Sequence, residues 1–585
     1  MKNLQDHGVA VYNGYCRSYK AWRDHMTGRD YVYAGIFGTP SLIVQLDVVT
    51  GRCRQFALPK GCYGPWGLEF TVEGHVLATS CEGKLCRLNP RTGKLWVTAK
   101  TDQWLWDITH GADGKFYLAT SPEAHLIRYD AATEKIEDLG RMDPKLKHLR
   151  SVVGGDDGYV YGGLGIERTQ VVAYHIATGR TTALLPKADC GRDFASVGRR
   201  EDGKIYARAV TGNTYRLAHG AAFPAKKANF AAPTLPDGRA ISVIDPEIIC
   251  VGDRRYPLQY KSDGTGIFHL AAGPNQTVYG STIMPLYLFR YTPKTKKLEN
   301  LGRGAPDNGE AYSFGHVDGK LYYGCYSFGS LMCYDPAKPW NGDMKWKTNP
   351  RLVTNLGVGH NRPRAMCIDA QKRIWIAGNP EYGAHHGGLG CYNTIAKKYV
   401  NQPVVIPDQS IWALAANETG DVIYGGTTIG RGSGTDPVTK EAHLIAWDAR
   451  RRKLLWKQAA VPGAVEYSNL LFRDGKLYGT TSKPFTFFCF DPQKRAMDYL
   501  LPSEISGVRE QSMCFGPDGN IYGITWMVLF RWRPESGQIE ELYRCTGRAA
   551  KPFGGSLFHR GAIIIDGRYY FSCGAKVMSL PVDCL

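Results

Sequence analysis

Seven times along this chain an Asp-Gly pair sits between two short runs of alternating apolar and polar residues. The pairs are Asp113-Gly114, Asp157-Gly158, Asp202-Gly203, Asp318-Gly319, Asp474-Gly475, Asp518-Gly519 and Asp566-Gly567. Both residues tolerate the positive φ that a tight type I′ turn demands, so each pair marks a β-hairpin. Degenerate copies lie between them at Thr27-Gly28, Glu73-Gly74, Asn275-Gln276, Gln371-Lys372 and Gly420-Asp421. Most neighbours are about 40 to 54 residues apart, the period of a four-stranded propeller blade.

The segment Leu105 to Gly140 reads as one complete unit. Trp106–Thr109, Phe116–Ala119, His125–Tyr129 and Ile136–Leu139 are its strands, with Asp113-Gly114 in the first turn and Asp130…Thr133 in the third. No window shows sustained helical periodicity, and 68 Gly with 34 Tyr suit short strands and tight turns. The expected fold is all-β. About twelve such units exceed what one common propeller holds, which predicts tandem β-propellers in two rings. The spacing breaks between Gly203 and Gln276, around Ala225 to Gly238, and the crossing is placed in that stretch. This gives an N-terminal propeller over 1–262 and a C-terminal one over 263–585. The last unit lacks a fourth strand, and Gly8–Tyr12 is a spare strand ahead of the first unit. Pairing them would close one ring through both chain ends and hide an exposed edge.

Hydrophobic content of 43% and charged content of 22% describe an ordinary globular protein. No apolar run reaches the length of a membrane span. No signal-peptide pattern opens the chain, and the sixteen cysteines carry no C-x-x-C pair. Buried reduced thiols and a cytoplasmic location are expected. The formal charge of +18, from 72 Lys+Arg against 54 Asp+Glu, favours polyanionic partners. The basic residues are dispersed and no recognition motif accompanies them, so nucleic acid fits poorly and an acidic carbohydrate fits better. A basic, merely solvated exterior is the plain alternative.

In such a scaffold, chemistry belongs to loops that converge on one mouth of the channel. Two adjacent loops are long and chemically loaded: Gly378 to Gly388, with Glu381, Tyr382, His385 and His386, and Gly425 to Asp436, with Arg431, running on to Glu441 and His443. Strand entries add His360 and Arg364, then Tyr312, Gln409 and Tyr467. Tyr382, His385 or His386 is the candidate base for abstracting the proton α to a uronate carboxylate. Arg364 or Arg431 is the candidate cation neutralising that carboxylate. His360, Tyr312, Glu381, Gln409, Glu441, His443 and Tyr467 are candidate substrate contacts. A histidine among 385, 386 and 443 is alternatively a ligand for a divalent metal such as Mn or Ca. Glu441-Ala442-His443-Leu444-Ile445 repeats Glu123-Ala124-His125-Leu126-Ile127, so a framework role for His443 stays open.

The Asp-Gly hairpins, the third strands Leu126 to Asp130 and Leu331 with Tyr334-Asp335, and the Thr-Gly turns resemble bacterial propellers of the streptogramin lyase and oligogalacturonide lyase type. The likeness covers nearly the whole chain as repeat grammar. It implies a carbohydrate-active propeller performing β-elimination at uronates with His, Tyr and Arg, some members using a divalent metal. A non-catalytic scaffold binding a glycan or protein, and a glycoside hydrolase, are the competing readings.

Overall fold

The computed structural model describes residues 4–245, 247–430, 434–545 and 559–582. Its elements are β-strands and two short 3-10 turns, Lys187–Asp189 and Pro274–Gln276, with no α-helix among the described residues. Nearly all strands join consecutive neighbours into antiparallel sheets of four, consistent with propeller blades. Two such sheets, Ser410–Gln458 and Glu466–Pro502, are linked by a single strand-to-strand pairing of Thr428 with Glu466. No described helix is long and apolar enough to cross a membrane.

Two different turns serve the Asp-Gly pairs. At Asp318, Asp474 and Asp566 both residues have positive φ, the type I′ geometry expected. At 113, 157, 202 and 518 only the glycine does. There the turn is one residue longer: Gly114 N–H donates to Gly111 O and Gly111 N–H to Lys115 O, a type I turn closed by a glycine bulge. In these four turns the hydroxyl of the tyrosine four residues on donates to the aspartate. The pairs are Tyr117 with Asp113 (3.0 Å), Tyr161 with Asp157 (2.7 Å), Tyr206 with Asp202 (2.8 Å) and Tyr522 with Asp518 (2.9 Å). The turns after third strands share another device: Asp47, Asp130, Asp448 and Asp491 each accept two backbone N–H groups just downstream.

The chain divides into two compact units, Tyr12–Gly264 and Thr265–Leu585 together with Met1–Val11. In each, the cores are apolar layers between neighbouring sheets rather than one centre. Leu77 and Leu85 of one sheet, for example, meet Leu105, Leu118 and Ile127 of the next. The irregular stretch after Gly203 is not a bare crossing. Ile241–Asp245, Ile248–Val251 and Arg254–Pro257 form a three-stranded sheet, and the first of these packs on Tyr15–Asp24. Sequence spacing missed this sheet because neither of its turns uses Asp-Gly. The fifteen described cysteines are all free.

In the other unit the final sheet has the order Gln5–Val9, Lys576–Pro581, Arg568–Cys573, Ile563–Ile565. Gln5 is thus a partner of Ser579, the Lys576 ammonium pairs with Asp6 at 2.6 Å, and Ala10 and Val11 join the core around Ile267, Tyr570 and Val577. Deleting residues 1–9 bares the edge of Lys576–Pro581. We expect the melting temperature to fall by roughly 5 °C, using about 2–4 °C per kcal/mol for domains of this order of size. Differential scanning calorimetry of the deletion checks this; an unchanged transition refutes it.

Candidate functional site

A β-bulge interrupts the entry end of the first strand in sheet after sheet. In the unit formed by residues 265–585, the register skips a residue at Phe268, Tyr312, Trp412 and Ser468, and at the pair Pro363-Arg364. A bulge leaves one side chain out of the alternation and re-aims it. Four of these side chains, Phe268, Tyr312, Arg364 and Trp412, meet. The Arg364 guanidinium lies 3.8 Å from the Trp412 ring centre and 5.0 Å from that of Tyr312. The Phe268 and Tyr312 ring centres are 4.8 Å apart, and Arg560 stacks on both at 4.5 Å.

Glu510 is the charge centre of this cluster. Its carboxylate is 5% exposed and accepts from Arg364 Nη1 at 2.5 Å and Arg560 Nη2 at 3.0 Å, with Arg509 Nε at 3.8 Å. Burial alone would raise its pKa, but Arg560, Arg509 and Arg364 hold it well below the usual carboxylate range. Arg364 also donates from Nε to Asn379 Oδ1. Beside this network the hydroxyls of Tyr326 and Tyr382 are 2.6 Å apart, and Arg362 Nη2 donates to both at 3.2 Å. Its guanidinium also sits 4.3 Å from the Tyr326 ring centre.

Two more carboxyls behave differently. Burial pushes Glu310 up to about 7, against the pull of Arg362, Arg560 and Arg364. Burial and the charge of Glu510 push Glu466 up to about 7, while Thr428 donates to it at 3.3 Å. Both are therefore poised to exchange a proton near neutral pH. Several polar atoms lack a hydrogen-bond partner among the described residues: Arg560 Nε and Nη1, Glu310 Oε2, His559 Nδ1 and Trp412 Nε1. Orphaned donors on a guanidinium that is 2% exposed are costly for folding alone. Farther along the first strands lies a cavity of about 330 Å³ lined by Met366, Ala413, Asn469, Gln511 and Met513, among others.

Of the residues singled out from sequence, the structure brings Tyr312, Arg364 and Tyr382 into this cluster. Arg431 lies outside the described residues. His385 and His386 are partly buried, and neither imidazole makes a hydrogen bond among the described residues. The remaining candidates brace the framework instead. His360 is fully buried between the carbonyls of Val358 and Ile376, and burial holds its pKa at about 4. Exposed Glu381 accepts the Gly359 N–H, and Gln409 holds Thr427, the Glu441 carbonyl and His443 together. Glu441 is exposed, and its backbone carbonyl accepts from Gln409 Nε2 at 2.9 Å. Tyr467 is a core residue whose hydroxyl accepts the Val461 N–H. Among the described residues, no group of three or more His, Cys, Asp or Glu side chains is arranged to hold a metal ion.

Sequence reasoning missed Glu310, Arg509, Glu510, His559 and Arg560. It weighed loop length, whereas the signal was position. Each lies at or just ahead of the entry to a first strand, where a charged residue opens an otherwise apolar run: Glu310 before Ala311–Val317, Glu510 before Met513–Phe515, Arg560 before Ile563–Ile565. Comparison with protein-family models gives no match, and comparison with curated proteins gives none either.

Two measurements probe these electrostatics. Glu510→Gln leaves buried guanidiniums without their counter-charge and should cost about 3–5 kcal/mol in urea unfolding of this unit. Glu310 binds its proton more tightly folded than unfolded. Its contribution to stability is thus full below its unfolded pKa and is lost as pH rises through about 7. Glu310→Gln should flatten that decline between pH 5 and 8; an unaltered pH profile would show the carboxyl to be ordinary.

Proposed function

We propose that each unit closes into a propeller ring, with seven blades in the unit carrying the cluster and six in the other. What supports closure is that each first strand packs on the next, from Ile267–Gly273 through to Ile563–Ile565, and that Ile563–Ile565 packs back on Ile267–Gly273. In the second unit the three-stranded sheet similarly packs on the Tyr15–Asp24 strand. On this reading the bulged entry strands surround one mouth of a channel.

The activity that fits best is β-elimination on a uronate-containing oligosaccharide, as the repeat-level resemblance to oligogalacturonide lyase-type propellers implies. The observation that carries it is the buried guanidinium of Arg560, with two orphaned donors beside a Tyr–Tyr–Arg triad and carboxyls of pKa about 7. Arg560 pairs with the uronate carboxylate and takes up the charge that builds there when the α-proton leaves. Tyr382, partly buried, bridged to Tyr326 and hydrogen-bonded by Arg362, is the base that takes that proton. The carbon–oxygen bond to the leaving sugar then breaks as the new carbon–carbon double bond forms. Glu466 or Glu310 donates a proton to the departing oxygen. Glycoside hydrolysis is the second reading, favoured by the same two carboxyls, since a general acid needs a pKa near the working pH.

Purified protein incubated with a panel of uronate oligomers should generate the ultraviolet absorbance of an unsaturated product. Tyr382→Phe should lower turnover by about 10²- to 10⁴-fold. Arg560→Lys should lower it by about 10²- to 10³-fold. Full activity in both variants removes this site from consideration. Reducing sugar released without an unsaturated chromophore favours the hydrolase, and no turnover of any uronate sinks the enzymatic reading.

A further inference from the structure

The same bulge recurs in the other unit, and there it builds something different. In residues 12–264 the register skips at Arg17, Trp106 and Arg150, again at the entry ends of first strands. Trp66 occupies the matching place ahead of Leu68–Phe70, its N–H bonded to Thr79 O. Phe194 does so ahead of Ser196–Arg199. These five residues form a continuous run of cations and rings. The Arg17 guanidinium is 4.5 Å from the Trp66 ring centre, Trp66 meets Trp106 edge-on at 5.0 Å, and Arg150 lies 4.2 Å from Trp106 and 5.3 Å from Phe194.

We propose that this run is a non-catalytic binding site for an acidic saccharide, with the indoles as platforms and the guanidiniums as carboxylate partners. The first argument is charge. The cluster in the other unit sets three carboxyls among its arginines, whereas Arg17 has no carboxylate partner among the described residues, only the Tyr15 hydroxyl at 3.3 Å. Arginine stacked on an indole keeps the in-plane N–H edge that binds a carboxylate in bidentate fashion. The second argument is rigidity. Trp106 Nε1 donates to Ser121 Oγ at 2.7 Å and Trp66 Nε1 points at Cys81 Sγ, so both rings are held in place before a ligand arrives. The third is access: Trp104, whose ring centre is 5.9 Å from that of Trp106, is 42% exposed.

Geometry selects a sugar over a nucleobase. Successive bases on a single strand stack on successive aromatic side chains and so favour faces that run roughly parallel. Trp66 and Trp106 stand at 73° to each other and leave no parallel slot between them. A pyranose needs only one indole face for its C–H surface while its carboxylate turns toward the neighbouring arginine. The inference shares with the function proposed above the idea of an acidic saccharide, but it does not require catalysis.

The test is equilibrium binding to the full chain carrying Tyr382→Phe and Arg560→Gln, which takes the first cluster out of the measurement. The probes are oligogalacturonate, oligoguluronate and a hyaluronan oligomer, with a malto-oligosaccharide as the neutral control and oligo-dT as the nucleic acid. Binding of at least one acidic oligomer is expected, read by quenching of tryptophan fluorescence, with the neutral control at least 10-fold weaker. Arg17→Gln and Trp106→Ala should each weaken it 10-fold or more. Trp106→Phe, which keeps a platform, should recover most of the loss and guards against a folding defect in the alanine variant. The proposal is overturned if no acidic oligomer binds, if binding survives Arg17→Gln and Trp106→Ala unchanged, or if oligo-dT binds more tightly than every uronate. Turnover is not part of this readout, so failure of the lyase reading and failure of this one are distinguishable.

Discussion

A small antiparallel sheet with apolar side chains on both faces cannot stand alone in water. Every other feature of this protein depends on that constraint. The sheet Trp104–Arg141 shows it well: Leu118 and Ile127 belong to a layer shared with the preceding sheet, while Tyr117, Ala119 and Leu126 belong to a layer shared with the following one. Each sheet therefore needs two neighbours. Successive first strands are brought side by side, and a residue that is ordinary in sequence becomes one of several facing each other.

That geometry explains how the polar clusters arise. A first strand in perfect alternation sends its side chains into the layers between sheets. One extra residue at its entry end breaks the alternation at a fixed place, and the displaced side chains then meet. In one unit the displaced residues are joined by acids, and the arginine charges are concentrated around Glu510. In the other the displaced residues are Arg17, Trp106 and Arg150, and both guanidiniums stack on indole rings. One backbone device thus yields two chemistries, decided by which residue type occupies the bulge. Burying so much charge is unfavourable unless each charge is countered.

The strand pattern was legible in sequence because it is written locally. Asp113-Gly114 followed by Tyr117 encodes a turn, its hydrogen bond and the next strand within five residues. The strands of Leu105 to Gly140 could be read accordingly. The Ile241–Pro257 sheet was not legible, since its turns carry no such pair. The candidate site was half legible. Tyr312, Arg364 and Tyr382 stood out by type and position, but His360 and Tyr467 look equally functional in sequence and are packing residues. Nothing local tells a histidine held between two backbone carbonyls from one facing a channel. Glu510 and Arg560 were invisible for a related reason: they are 50 residues apart, and their pairing exists only once their sheets are side by side.

The strand Gln5–Val9 completes a sheet whose other members come from the far end of the chain, and His7 is hydrogen-bonded to Ser579, 572 residues later. At ribosomal speeds of about 5–20 residues per second, that partner follows after about half a minute to two minutes. Once Gly264 has been made, the segment Tyr12–Gly264 has every strand it needs, while the strand ahead of it still has no partner. The order of synthesis and the order of assembly are therefore opposed. The earliest strand is the last to find its place, and it does so by closing over one of the longest loops the chain can form, a step whose entropic cost grows only slowly with loop length. Until then the segment must be kept from pairing with foreign edges, a task to which the single polar and charged run Gln5-Asp6-His7 is suited.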